Sequence, residues 1–289
     1  MRKINCLFAF ALLVFIYTHP AYSNAPIWTA KKDGHQLIIG GTIHLLTPAD
    51  YPLPAAFKKA YEQSEQLVFE SDIQKIKDPA FQLTMMSELI YTDGRNISHV
   101  LSNKTYQALE AYCASKGIPI AILMNFKPGM VAITLTMMEL QRLGIMGTGV
   151  DAFFSAKAIQ DNKQLGQFET AEQQLSFIAS MGEGKEDEII AHTLRDIEEL
   201  PTTWNTLRTA WRQGNLNKLK EVALIPLKDD FPSTYDTILA QRNNAWMPQI
   251  EALFKTKKPT FVLVGILHLV GDDGILNQLA AKGYQIERF

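Results

Sequence analysis

Short apolar runs, each giving way to an ionisable side chain, recur along this chain. Leu37, Ile38 and Ile39 lead to Gly41 and His44. Leu67, Val68 and Phe69 lead straight to Glu70, and Phe261 to Val264 lead to Gly265 and His268. Runs this short, apolar and rich in β-branched residues predict strands covered on both faces. A further short strand, Gln164 to Phe168, ends in Glu169 and Thr170. LIIGGTIHLL and FVLVGILHLV align so that Gly41 and His44 match Gly265 and His268. A glycine at such a strand end lets the backbone turn sharply or lets another group come close. The carboxyl edge of an open α/β sheet is the usual place for a ligand.

The remaining pattern is a hairpin at the start and helices through the middle. Residues 27–40 read as two strands with Asp33-Gly34 as the turn, which leaves His35 solvated. A helix follows over about Ala55–Gln66, then helical periodicity over roughly 79–91, 104–116, 128–143, 151–162, 171–181, 185–200 and 203–222. The stretch 184–230 is charged and lacks special chemistry, so it reads as part of a helical segment at about 170–255 that covers the site; His192 within it is expected to be exposed, and His99 is expected on the surface or in ordinary packing. Further on, an apolar stripe through Tyr235, Ile238, Leu239, Trp246 and Ile250 contains Arg242. A guanidinium facing a core requires an anionic partner, structural or catalytic. Pro248 is expected to kink or restart that helix. A helix near Ile275–Ala281 and a strand over Tyr284–Phe289 close the chain. The architecture expected is α/β, a central mixed sheet flanked by helices.

Composition narrows the setting. Arg2 and Lys3 precede an apolar run from Leu7 to Tyr17 and then Ala21-Tyr22-Ser23, the form of a secretory signal over residues 1–23. The expected product is therefore secreted or periplasmic, a single domain over 24–289, with no stable membrane anchor, since no later run approaches the length of a membrane span. Without Arg2 and Lys3, 26 basic residues face 30 acidic ones, a balance that does not favour nucleic acid. Cys6 leaves with the signal. Cys113 is then alone, which excludes an internal disulfide and predicts a buried core thiol.

Two histidines and one carboxylate with an open position form a known arrangement for hydrolytic zinc and other divalent first-row ions, which makes His44, His268 and Glu70 candidate ligands. A pair of strand-end histidines is also compatible with an old duplication that serves packing alone. Glu169 is a further candidate ligand or base. Asp151 either favours a helix N-terminus or belongs to the site, and Thr170 with Gln173 has the form of a capping box.

Taken together, LIIGGTIHLL, LVFES, GVDAFFSAKAIQDNKQLGQFETAEQQL, QRNNAWMPQIEALF and FVLVGILHLVGDDGILNQLAAKGYQIERF, in that order, resemble the TraB/GumN family, which includes the animal Tiki metalloproteases that inactivate Wnt proteins. The resemblance implies a Tiki-like or erythromycin-esterase-like sheet with paired Gly-x-x-His strand ends. It also implies proteolysis dependent on a divalent ion, with Mn2+ or Co2+ favoured and Zn2+ an option. Carried over by position, it points to His44, Glu70, Arg242 and His268, with Gly41 and Gly265 shaping the turns. Asp151, Glu169, Gln174 and Asn243 fall on further family positions. The substrate implied is a peptide or protein. Two other readings stand beside the peptidase: a metal-independent hydrolase with a histidine base, and a non-catalytic peptide- or pheromone-binding protein. The oligomeric state is unspecified.

Overall fold

The Asp33-Gly34 pair closes the expected hairpin. Both residues have positive φ, 50° and 78°, the conformation a two-residue hairpin turn requires. In the computed structural model, which describes residues 25–256 and 258–289, strands β1 (Ile27–Lys32) and β2 (His35–Thr42) flank that turn. The stretch read as an export signal lies outside the described residues.

Strands β3 (Leu45–Leu46), β4 (Gln66–Ser71), β5 (Gly147–Thr148), β6 (Gln164–Glu169), β7 (Thr260–Gly265) and β8 (Gln285–Arg288) complete the set. Six of them form one mixed sheet in the order β6-β4-β7-β2-β1-β8, flanked by helices. The first four pair in parallel, and β1 is antiparallel to both β2 and β8. The apolar runs occupy the middle of this sheet because both of its faces are covered: Leu37, Ile39, Leu67, Phe261 and Val262 are almost completely buried. Consequently β6, β4, β7 and β2, four neighbours, all end at the same edge.

The helices follow the expected periodicity with three differences. The segment anticipated over 185–200 and the first half of that over 203–222 form one helix, Glu186–Arg212, that runs through Pro201; a break follows, and then a short helix, Leu216–Leu219. Pro248 does not restart its helix, which is continuous over Gln241–Phe254. The irregularity lies earlier, in two π-helical turns, Lys220–Leu224 and Asp236–Ala240. Such turns are frequent at functional sites. His192, expected to be exposed, has only 13% of its side chain accessible because its ring packs on Phe231.

A second, smaller core lies away from the sheet. Ile97, Leu109, Leu123, Val131, Leu135, Ile190 and Ile197 meet there, and Cys113 is buried among them as expected. No helix among the described residues is long and apolar enough to cross a membrane.

Candidate functional site

Each of the four parallel neighbours delivers one ionisable side chain to the shared edge. In strand order these are Glu169 from β6, Glu70 from β4, His268 three residues beyond β7, and His44 two beyond β2. Glu70 and His268 are buried. His44 sits at the mouth, with 62% of its side chain exposed.

Arg242, from the Gln241–Phe254 helix, lies across three of them. Its Nε donates to Glu169 Oε1 at 2.8 Å, and Nη2 donates to Glu169 Oε2 at 2.9 Å and Glu70 Oε2 at 3.0 Å. Nη1 donates to the Ile238 carbonyl at 3.1 Å and lies 3.3 Å from His268 Nε2. All five guanidinium N–H groups are thereby used. Ile238 belongs to the second π-helical turn. Trp246, one helical turn beyond Arg242, donates from Nε1 to Glu169 Oε1 at 2.8 Å. Both Glu169 oxygens are therefore engaged, and this carboxylate holds Arg242 in place; it is not among the residues lining the adjoining pocket.

The network also fixes the histidine tautomers. Because Arg242 donates to His268 Nε2, the ring proton sits on Nδ1, which donates to Asn243 Oδ1 at 2.7 Å. Asn243 is turned that way because its Nδ2 donates to the backbone carbonyls of Asp273 and His268. His44 is anchored in the same manner, its Nδ1 lying 3.2 Å from Asp151 Oδ2. Asp151 reaches it because β5 pairs with β3, just after His44, and the Val150 N–H donates to the Ile43 carbonyl. Gly149 permits this approach: a Cβ there would collide with the His44 and Ile43 carbonyls. Ligating histidines are commonly oriented through the nitrogen that does not touch the metal. Here both imidazoles are oriented through Nδ1, which leaves His268 Nε2 3.6 Å from Glu70 Oε1.

Gly41 and Gly265 serve close approach rather than a turn, since neither has positive φ. A Cβ on Gly41 would run into the Ile266 side chain, and one on Gly265 would lie 2.9 Å from Glu70 Oε1 and 3.8 Å from His44 Nε2. The Gly265 N–H instead donates to Glu70 Oε1 at 2.5 Å.

Burial is the strongest single influence on Glu70 and favours the neutral acid, but His268, His44, Arg242 and the Gly265 N–H outweigh it and bring its pKa down to about 2. For His268, burial first, then the cationic Arg242 and His44, depress the pKa to about 4 despite Glu70, so the ring is neutral at pH 7. His44 moves the other way. Crowding by the protein opposes its charge, yet Asp151 and then Glu70 carry its pKa up to about 9, while its exposed edge stays in contact with solvent that screens both carboxylates.

His268 Nε2 and Glu70 Oε1 are 3.6 Å apart, two lone pairs with no proton between them. Asp151 Oδ1 and Thr42 Oγ1 are buried without a partner and border the same 200 Å³ hollow as His44 and Glu70. Two anchored imidazoles, an ionised carboxylate and unsatisfied oxygens fit a divalent cation chemically. As the side chains stand, no group of three His, Cys, Asp or Glu is closed to ligand spacing among the described residues. Arg242 is the physical reason, because its N–H already occupies His268 Nε2. Gln174 lines the same hollow and accepts from the Ser71 hydroxyl at 2.7 Å.

In front of the cluster lies a pocket of about 350 Å³ with Trp204, Leu207, Leu219, Ala223 and Leu239 in its lining. None of these five stands out in the sequence, because an apolar residue on a helix face carries no mark that distinguishes a pocket wall from a core. Trp246 was legible only as part of the apolar stripe; its one-turn spacing from Arg242 was the available signal for its polar contact.

A mixed sheet whose parallel strands end in a buried ionic cluster, roofed by helices, defines the class. The chain belongs to the TraB/PrgY/gumN family, whose sequence model matches residues 26–288. It is similar to the "Uncharacterized protein YbaP" of Shigella flexneri and to its namesake in Escherichia coli (strain K12), each 24% identical over 271 residues, 91% of this chain and 93% of theirs. No solved structure matches it.

Proposed function

We propose that the protein is a divalent-metal-dependent peptidase acting on an extracytoplasmic peptide or protein, with the site at the paired Gly-x-x-His strand ends. One observation carries the reading: two imidazoles held through Nδ1 by Asp151 and Asn243 flank the ionised Glu70, with His268 Nε2 3.6 Å from its Oε1. His44, His268 and Glu70 would hold the ion, Mn2+ or Co2+ by family likeness, with Zn2+ an option. When bound, the cation would supply the Lewis acidity that polarises a carbonyl and makes water nucleophilic near pH 7.

The chain's own groups account for the rest. Glu70 stays ionised, the form a ligand needs. Arg242 offers positive charge where a carbonyl oxygen becomes negative, and Glu169 with Trp246 keeps that guanidinium from drifting. Asp151 fixes the His44 tautomer. The export signal read in residues 1–23 supports an extracytoplasmic substrate.

The test is to strip the purified protein with chelator, add back Mn2+, Co2+ or Zn2+ singly, and follow cleavage of a quenched-fluorescent peptide library. Activity should vanish with the metal and return with one ion; full activity after chelation refutes the metal mechanism. A second reading draws on the Asp151–His44 pair, which has the form of an acid–base imidazole with its orienting carboxylate, beside a guanidinium already in place. That metal-free hydrolase would keep its activity through chelation and lose it on Asp151→Asn.

A further inference from the structure

The pocket in front of the cluster has two unlike walls. One carries His44, Glu70, Arg242 and His268. The other is apolar, with Trp204 and Leu207 from the Glu186–Arg212 helix, Leu219 and Ala223 at the first π-helical turn, Leu239 from the second, and Ile266 just beyond β7. About 350 Å³ lies at the small end of ligand pockets, room for one bulky side chain and the peptide group attached to it rather than for a folded segment.

The charged wall has little left to offer a charged side chain. Every N–H of Arg242 is already donated, and Glu70 accepts from Arg242 and Gly265. A lysine or aspartate entering the pocket would give up its water for few open partners, since His44 is already held by Asp151 and Glu70 by Arg242 and Gly265. A leucine or phenylalanine would lose nothing and bury apolar surface against the opposite wall. Ala223 is the small residue among large neighbours, and the depth of the pocket depends on it.

Resting on the peptidase reading above, we propose that the wall formed by Trp204, Leu207, Leu219, Ala223, Leu239 and Ile266 is the specificity pocket of the site, and that it selects peptides with a bulky apolar side chain, such as leucine, methionine or phenylalanine, beside the scissile bond. The preference over alanine at that position is about tenfold to a hundredfold in kcat/KM.

The experiment has two arms. In the first, the purified protein with Mn2+ digests a proteome-derived peptide library and cleavage sites are read by mass spectrometry. Leucine, methionine, isoleucine and phenylalanine should be enriched at one position flanking the cut. Ala223→Phe should lower kcat/KM for those peptides at least tenfold, while peptides with alanine there stay within about twofold. Leu207→Ala, which deepens the pocket, should move the preference toward phenylalanine and tryptophan, so a folding failure of either variant leaves the other to decide. Enrichment of charged residues, no enrichment, or an unchanged profile in both variants overturns the assignment and leaves the peptidase reading standing.

The second arm needs no turnover. N-acetyl-leucinamide should perturb the indole NMR signal of Trp204, assigned with Trp204→Phe, and should fail to do so in Ala223→Phe; N-acetyl-aspartamide should not perturb it in either. If no peptide is cleaved with any metal, the peptidase reading fails and this arm alone judges the pocket. An indole signal indifferent to N-acetyl-leucinamide overturns it.

Discussion

Two buried carboxylate–arginine clusters in this protein use the same chemical parts to different ends. In the small helical core, Glu139 is 3% exposed and accepts from Arg142 at 2.5 and 2.9 Å, with Lys116 at 3.6 Å, but Arg142 itself is 56% exposed. At the sheet edge, Arg242, Glu70 and Glu169 are all 10% exposed or less. Arg142 keeps its hydration while it neutralises Glu139, so only the carboxylate is desolvated. Arg242 has given up nearly all of its water and depends on five fixed acceptors. The first arrangement closes a helix surface. The second costs stability to assemble, which the function proposed above would offset.

Substitution should separate them most sharply at the arginines. Arg242→Met leaves Glu70 and Glu169 buried against each other and should cost about 3 to 5 kcal/mol in urea denaturation. Arg142→Met should cost less, about 1 to 2 kcal/mol, because Lys116 stays 3.6 Å from Glu139. Equal losses would erase the distinction.

Acidification of chelator-treated protein should come next. The folded pKa of His268 is depressed to about 4, so below pH 6.5 the unfolded chain takes up a proton that the folded one refuses, and stability falls until about pH 4. His192, also depressed to about 4, acts in the same direction, but Asp196 beside it is raised to about 6 and protonates first in the folded state, which offsets it. Glu139, lowered chiefly by its hydrogen bond from Arg142, and Glu70, lowered to about 2, add their losses only below pH 4.5. His44, raised to about 9, contributes fully below pH 6.5 and loses its contribution as pH rises through 9. Denaturation midpoints at pH 7 and pH 5 should therefore converge in His268→Gln and not in His192→Gln.

Smaller effects should appear at the groups that aim the imidazoles. Asn243→Ala and Asp151→Asn should each weaken Mn2+ binding about 10- to 100-fold by calorimetry, with the fold intact by circular dichroism. Gly265→Ala places a methyl group 2.9 Å from Glu70 Oε1 and should lower activity several-fold by displacing that carboxylate. Smallest of all, Cys113→Ala in the helical core should leave catalysis untouched and cost about 1 kcal/mol of stability.

How much of this was legible beforehand differs between fold and site. The strands at Leu37–Ile39, Leu67–Phe69 and Phe261–Val264 were readable because a strand covered on both faces cannot carry polar residues, and Arg242 was marked by interrupting an apolar stripe. The continuation of the 185–200 helix through Pro201 to Arg212 was not readable. Pro201 favours a break by local preference, and only packing against the rest of the protein overrides it. The same holds at Pro248, where the helix runs on and the register defects fall instead at Lys220–Leu224 and Asp236–Ala240.

By itself the sequence determined which short segments must be buried strands, that each ends in a histidine or a carboxylate, and that one arginine faces inward, because hydrophobic periodicity is a local property of the chain. Tertiary structure decided the strand order that makes Glu169, Glu70, His268 and His44 neighbours, the tautomers imposed by Asp151 and Asn243, and the apolar wall across from them. Those depend on pairings between residues as far apart as Gly41 and Val264 in the parallel ladder, and no local pattern specifies a contact over that distance.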